Sequence, residues 1–169
     1  ASRPLRQKDI EMTATLYSGG YYSYMKALNQ RHDYNVSAVV AIGAAAPETL
    51  PLVTSIITNP HLKKIVNVWG SEDHTLFVGA KNYLNTNLEV VNIKILGANH
   101  HDYFLNDPSG TPGINAVSGE FVKQLTEAIV NKNEIRYQRL INPNQEGMTF
   151  KDGVYTLDPE KYKLEGVNN

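Results

Sequence analysis

The stretch TATLYSGGYYSYMKALNQRH, residues 13–32, changes from a strand pattern to a helix pattern at one serine. Residues before Ser18 are β-rich, and the apolar residues after it recur at helical spacing. A serine at a sharp strand-to-helix turn projects its hydroxyl beyond the end of the strand. Such a turn needs small neighbours, a need that Gly20 meets, and Gly19 leaves a backbone N–H open to an incoming oxygen. The stretch therefore predicts a β-α unit with Ser18 at its turn.

The composition limits the classes of protein to consider. The chain has 169 residues, 41% of them hydrophobic, which is enough for the core of one domain. Its net charge is −1 without a basic cluster, which argues against nucleic acid as a partner. No apolar run approaches the roughly 18 residues of a membrane span, and residues 1–9 lack the apolar core of a signal peptide. The sequence contains no cysteine, which excludes a thiol nucleophile and leaves the compartment unspecified.

Strand and helix patterns alternate along the first 130 residues. Four apolar runs rich in Val and Ile predict buried strands at 10–17, 36–43, 63–69 and 89–96. Helical periodicity appears at 21–28, 48–59, 76–84 and 116–130. Alternation of this kind predicts an α/β fold, a three-layer sandwich around a mainly parallel sheet.

The last part of the chain has a different character. We expect a domain over residues 1–135 and a polar tail over 136–169. Within the tail, Asp152-Gly153 between two short strand-like runs predicts a hairpin.

Chemically capable side chains follow three of the predicted strands. Ser18 ends the first strand, Glu72-Asp73-His74 follow the third, and His100-His101-Asp102 follow the fourth. Because the carboxyl ends of parallel strands meet at one edge of the sheet, we expect these side chains to lie close together. A serine hydroxyl becomes a nucleophile when a histidine accepts its proton and a carboxylate orients that histidine. The pattern predicts such a constellation, in the chain order serine, aspartate, histidine.

These residues resemble three motifs of the α/β-hydrolase family, over residues 10 to 130 and beginning at the nucleophile strand. Leu-Tyr-Ser-Gly-Gly at 16–20 is similar to Gly-x-Ser-x-Gly, Gly-Ser-Glu-Asp at 70–73 to the acid loop, and Gly-Ala-Asn-His at 97–100 to the histidine loop. The resemblance implies roles for four residues and no metal or organic cofactor. Those roles are nucleophile for Ser18, acid for Asp73, base for His100 and oxyanion-hole N–H donor for Gly19.

The function that the resemblance implies is that of an esterase- or lipase-like serine hydrolase acting on a small-molecule or lipid ester. The sequence departs from the family's pattern in two places. Leu16 replaces the first glycine of the nucleophile motif, and the first half of the family's fold, which supplies a second oxyanion donor, has no counterpart here. The resemblance thus implies part of a longer or two-chain protein whose partner is the N-terminal half. The alternative is a catalytically silent module that serves in binding or assembly.

Other interpretations of the same residues stay open at this point. Ser18 could cap the helix that follows it, and Asp73 could cap the next helix. Glu72 is the reserve acid and His101 the reserve base, because only geometry decides which ring meets the serine. A metal site at residues 100–102 would need a third ligand, and adjacent histidines tend to point apart.

Overall fold

A computed structural model describes residues 10–44, 58–74 and 88–165 of the chain. Within these ranges the chain forms six strands and three helices, which are numbered here in chain order. The strands are β1 (Met12–Tyr17), β2 (Val36–Ile42), β3 (Lys64–Gly70), β4 (Glu89–Ile95), β5 (Met148–Lys151) and β6 (Val154–Leu157). The helices are α1 (Gly20–Gln30), α2 (Ile114–Val130) and α3 (Glu134–Leu140).

The six strands form one sheet in the order β1-β2-β3-β4-β6-β5. All neighbouring strands are parallel except β5 and β6, which form an antiparallel hairpin. The predicted α/β class with a mainly parallel sheet is confirmed. Strand β1 lies at one edge of this sheet, so that Ser18 sits at the end of an edge strand.

Helices cover both faces of the sheet. Successive side chains of each strand point to opposite faces, so that each strand contributes to both layers. On one face, Val39 and Ala41 of β2 share a buried cluster with α1. On the other face, Val40 and Ile42 share a larger cluster with α2 and α3. The predicted apolar stripes supply the helix side of both clusters. The stripe residues that are completely buried are Tyr21, Met25, Leu28, Phe121 and Leu125.

The C-terminal segment belongs to this same domain, which differs from the separate tail expected over 136–169. The expected boundary falls inside α3, and β6 extends the sheet by pairing with β4 in parallel. The predicted hairpin is present, with Asp152 and Gly153 at φ values of 53° and 77°. Most residues of the segment are polar, but several of its apolar ones enter the larger cluster. These are Leu157, Tyr162 and Leu164, among others.

Two of the predicted helices fall largely outside the described residues. Residues 48–57 and the whole of 76–84 are in this group, whereas Thr58 and Asn59 are described and lie in no helix. Within the described ranges, no helix is both long and apolar enough to cross a lipid bilayer.

Candidate active site

Ser18 occupies a sharp turn between β1 and α1. Its φ is 54°, in the left-handed region that costs a non-glycine residue conformational energy. Its N–H donates to the Ile42 carbonyl (3.1 Å), so this backbone is anchored to the neighbouring strand. The residue in the N-cap position is Gly19, and no side chain caps the helix. The alternative in which the Ser18 hydroxyl is only a helix cap is therefore wrong.

The Ser18 hydroxyl contacts the imidazole of His100, 82 residues away in the chain. Ser18 Oγ lies 3.0 Å from His100 Nε2, and His100 Nδ1 lies 2.7 Å from Asp73 Oδ2. Both distances are within the range expected of hydrogen bonds. The predicted convergence of these three side chains, with the two ring nitrogens facing different partners, is observed.

With Asp73 ionised, the hydrogen-bond partners assign the tautomer of His100. An ionised carboxylate can only accept hydrogen bonds, so Nδ1 of His100 carries the proton that faces Asp73. In the neutral ring Nε2 is then an acceptor, and the Ser18 hydroxyl donates to it. The Asp73 side chain is fully buried and that of His100 is 19% exposed. The arrangement can therefore move the Ser18 proton to His100 while Asp73 stabilises the resulting charge.

Tyr17, the residue before Ser18, contacts the other side of the histidine. Its ring stacks on the His100 ring with a centroid distance of 5.0 Å and an interplanar angle of 24°. Its hydroxyl donates to the backbone carbonyl of His100 at 2.8 Å. Burial raises the pKa of the Tyr17 hydroxyl, and the negative charges of Asp73 and Asp107 raise it further. Sequence reasoning missed Tyr17, although it lies inside the motif around Ser18.

Tyr103 is a second residue that the sequence did not single out. Its hydroxyl donates to Asp73 Oδ2 at 2.7 Å and accepts from the Gly70 N–H at 2.8 Å. It is completely buried beneath the loop that carries His100. A tyrosine three residues beyond a candidate histidine gave no signal in the sequence, because nothing local indicates what its hydroxyl meets.

The loop that carries His100 is organised by Asp102, the third member of the His-His-Asp run. Asp102 is fully buried and accepts hydrogen bonds from the Asn99 N–H (2.8 Å), the Thr111 N–H (2.6 Å) and the Thr111 hydroxyl (2.8 Å). These bonds satisfy the buried carboxylate within its own loop. Asp102 thus has a structural function in placing His100.

The loop with Asp73 approaches the His100 loop closely at one glycine. A Cβ at Gly70 would lie 2.1 Å from the Ala98 carbonyl oxygen, a distance that no side chain permits. The Glu72 N–H donates to the same carbonyl at 2.9 Å. Because both loops are joined through their backbones here, Gly70 allows the carboxylate and the imidazole to meet.

The two reserve residues lie outside the Ser18–His100–Asp73 chain. Glu72 Oε2 is 3.5 Å from the exposed ring of His74. His101 Nδ1 is 3.3 Å from Asp107 Oδ2, and its side chain is half exposed. Among the described residues, no group of three or more His, Cys, Asp or Glu side chains is arranged to hold a metal ion.

One expectation about the residues around Ser18 is not met. A Cβ at Gly19 or Gly20 would meet no described atom within 4 Å, so neither glycine is needed there for space. The expectation that Gly20 must be small to let the flanking chain pass is therefore wrong for the described structure. Leu16 points away from the turn into the cluster beneath α1, where it is 8% exposed, and Ser18 keeps its strained geometry beside it.

Gly19 carries the N–H that the sequence assigned to oxyanion binding. It directly precedes α1, with φ −64° and ψ −19°. Among the described residues, no backbone carbonyl accepts a hydrogen bond from it. This N–H is thus available beside the Ser18 hydroxyl.

Comparisons with protein-family models, curated proteins and solved structures gave no match to this chain.

Proposed function

We propose that this chain carries the catalytic residues of a serine hydrolase of the α/β-hydrolase kind, acting on ester bonds. The observation that supports it is the hydrogen-bonded chain from Ser18 through His100 to the buried Asp73, with distances of 3.0 and 2.7 Å. Three side chains from distant parts of the sequence meet in the order that nucleophilic catalysis requires. The positive φ of Ser18 adds backbone strain of the kind that accumulates at functional sites.

The proposed reaction has two steps. Ser18 Oγ attacks the ester carbonyl and its proton moves to His100 Nε2, which leaves the negative charge on the carbonyl oxygen. The Gly19 N–H donates to that oxygen, and Asp73 stabilises the charged imidazole. His100 then gives the proton to the departing alcohol, forming an acyl-serine. In the second step water attacks the acyl group, His100 takes the water's proton, and the acid leaves as Ser18 regains its hydrogen.

An exposed aromatic side chain beside the site favours an apolar ester as substrate, either a small molecule or a lipid. Phe104 is 43% exposed and its ring meets the Tyr17 ring edge-on at 4.9 Å. Phe104 also lines a groove of about 330 Å³ between the sheet and α2. The apolar side chains of this groove include Ile42, Leu105 and Val122.

We also propose that an N-terminal half of the fold, in the same polypeptide or a separate chain, completes the site. Strand β1 lies at the sheet edge and pairs only with β2 in the described part of the chain. An unpaired edge readily accepts another strand. Such a strand and its following loop would lie next to Ser18 and could supply the second oxyanion donor.

A fluorophosphonate probe and an activated aryl ester test the proposal. Ser18→Ala should abolish labelling, and Ser18→Ala or His100→Ala should each lower ester turnover by about 10³-fold or more. Asp73→Asn should lower it less. Ser109→Ala, a change at an exposed serine near the His100 loop, is the matched control and should keep both signals.

The alternative function is a catalytically silent module used in binding or assembly, favoured because Gly19 is the one oxyanion donor identified among the described residues. It predicts that the folded chain neither reacts with the probe nor hydrolyses the ester. Labelling that persists in Ser18→Ala would also contradict the proposed nucleophile.

A further inference from the structure

We propose that Tyr103 is the positioning residue for Asp73, holding the carboxylate aimed at His100; this rests on the proposed function. The hydroxyl of Tyr103 donates to Asp73 Oδ2 at 2.7 Å. The same oxygen faces His100 Nδ1 at 2.7 Å. One carboxylate oxygen thus lies between the two donors, and its position is fixed from two directions.

The direction of the Tyr103 hydroxyl is set by a second hydrogen bond. The Gly70 N–H donates to the phenol oxygen at 2.8 Å, so the phenol proton must point elsewhere. Burial, followed by the bond to Asp73, raises the Tyr103 pKa far above its ordinary value. The hydroxyl therefore keeps its proton throughout the pH range of an enzyme assay and remains a donor to Asp73.

Asp73 needs such a donor because its side chain is removed from solvent. Its side chain is fully buried, and burial disfavours the charged form of a carboxyl group. A hydrogen bond from a neutral donor stabilises the carboxylate without competing for its charge. Tyr103 in this way stabilises the buried carboxylate and prevents its rotation away from the imidazole.

The fold makes room for the Tyr103 ring at the end of β2. A Cβ on Gly43 would lie 2.5 Å from Tyr103 Cε2, so only glycine fits there. The Gly43 N–H donates to the Val68 carbonyl at 2.8 Å, which ties this glycine to the neighbouring strand. The ring is thus enclosed by backbone that cannot easily move.

Removal of the Tyr103 hydroxyl has a consequence for the charge of His100. With one donor fewer, the negative charge of Asp73 is less compensated by hydrogen bonds and stabilises the protonated imidazole more strongly. Since His100 must be neutral to accept the Ser18 proton, the activity should then begin at higher pH. Among the described residues, the titratable groups facing His100 are Asp73, Tyr17, Tyr103 and His101, with Asp107 beyond them.

The test compares two tyrosine-to-phenylalanine variants of the full chain. Tyr103→Phe should lower kcat/KM for an activated aryl ester about tenfold, mostly through kcat, and raise its acid-side pH midpoint by about half a unit. Tyr162→Phe is the matched control, because Tyr162 is also buried and its hydroxyl donates to the Leu140 carbonyl at 2.7 Å, away from the site. It loses a comparable hydrogen bond and should keep the wild-type midpoint.

A midpoint in Tyr103→Phe that is unchanged or lowered overturns the inference, since a purely structural defect would lower kcat without raising the midpoint. Ser18→Ala is measured in parallel. If it hydrolyses the ester as well as wild type, the proposed function and the inference both fail. If it is inactive while Tyr103→Phe behaves like Tyr162→Phe, the inference alone fails.

A measurement on the unmodified protein covers the case in which Tyr103→Phe does not fold. The Tyr103 hydroxyl proton and the His100 Nδ1 proton both point at one oxygen and should show a mutual nuclear Overhauser contact. A proton spectrum without that contact overturns the inference.

Discussion

Gly43→Ala should destabilise the protein through a clash that can be measured separately from backbone strain. Gly43 has φ 53°, which costs an alanine about 1–2 kcal/mol. The added methyl would also lie 2.5 Å from the Tyr103 ring, and overpacking of this kind costs about 1–3 kcal/mol. The free energy of unfolding should therefore fall by about 2–5 kcal/mol.

Gly153→Ala is the matched control for this substitution. Gly153 has φ 77°, but a Cβ there would meet no described atom within 4 Å. It should therefore cost only the strain, about 1–2 kcal/mol. Both changes remove the same conformational freedom from the unfolded chain, so that this effect cancels between them. The difference between the two variants, about 1–3 kcal/mol, isolates the clash with Tyr103.

Urea unfolding gives both free energies. The single tryptophan, Trp69, is 9% exposed and reports loss of packing, while far-UV circular dichroism reports loss of secondary structure. Coincident transitions from both probes justify a two-state treatment. Equal destabilisation by Gly43→Ala and Gly153→Ala would refute the reasoning, because it would mean that the Tyr103 ring moves aside without cost.

Three further predictions concern the support of His100 by Tyr17, the stability of the fold at alkaline pH and the edge of the sheet at β1. Tyr17→Phe should lower ester turnover about fivefold by removing the bond to the His100 carbonyl, and Tyr17→Ala should lower it further by also removing the ring stack; equal activities of wild type and Tyr17→Ala would contradict this. Burial raises the folded-state pKa of Tyr162 from 10.0 to about 12, so its contribution to stability is complete below about pH 10 and is lost as the pH rises towards 12. Unfolding free energies measured across this window should fall less steeply in Tyr162→Phe than in wild type, and parallel curves would exclude the effect. The chain by itself should self-associate through the edge of β1 that pairs with no described strand, seen as a scattering mass that rises with concentration; a monomer at every dilution would count against it.

The sequence was sufficient to predict the main strands and the meeting of three side chains. The runs of Val and Ile in β2 and β3 indicate strands buried on both faces, and a parallel sheet brings their carboxyl ends to one edge. The positions of Ser18, Asp73 and His100 directly after such strands then place them together. Topology therefore predicted which three loops converge, whereas the preference for Asp73 over Glu72 and for His100 over His101 came from the resemblance.

The contributions of individual glycines and tyrosines could not be predicted in the same way. Gly19 and Gly20 attracted attention beside Ser18, yet the close approaches occur at Gly43 and Gly70. Both depend on residues far along the chain, such as Tyr103, which the local sequence does not specify. Close contacts between distant segments are properties of the packed structure, and the pattern around one residue does not contain them.

The interior position of β6 in the sheet has a consequence for how the molecule is assembled. Asn92 of β4 pairs with Val154 of β6, so the outer edge of β4 stays uncovered until residues 154–157 have been synthesised. Pairings between residues so far apart in sequence slow folding, because a long loop must close before the contact is gained. A ribosome-bound or prematurely terminated chain ending before residue 148 would present the β4 edge and its apolar face to other nascent chains. The β5–β6 hairpin thus protects the growing polypeptide against aggregation, and it does so only once residues 148–157 have been synthesised.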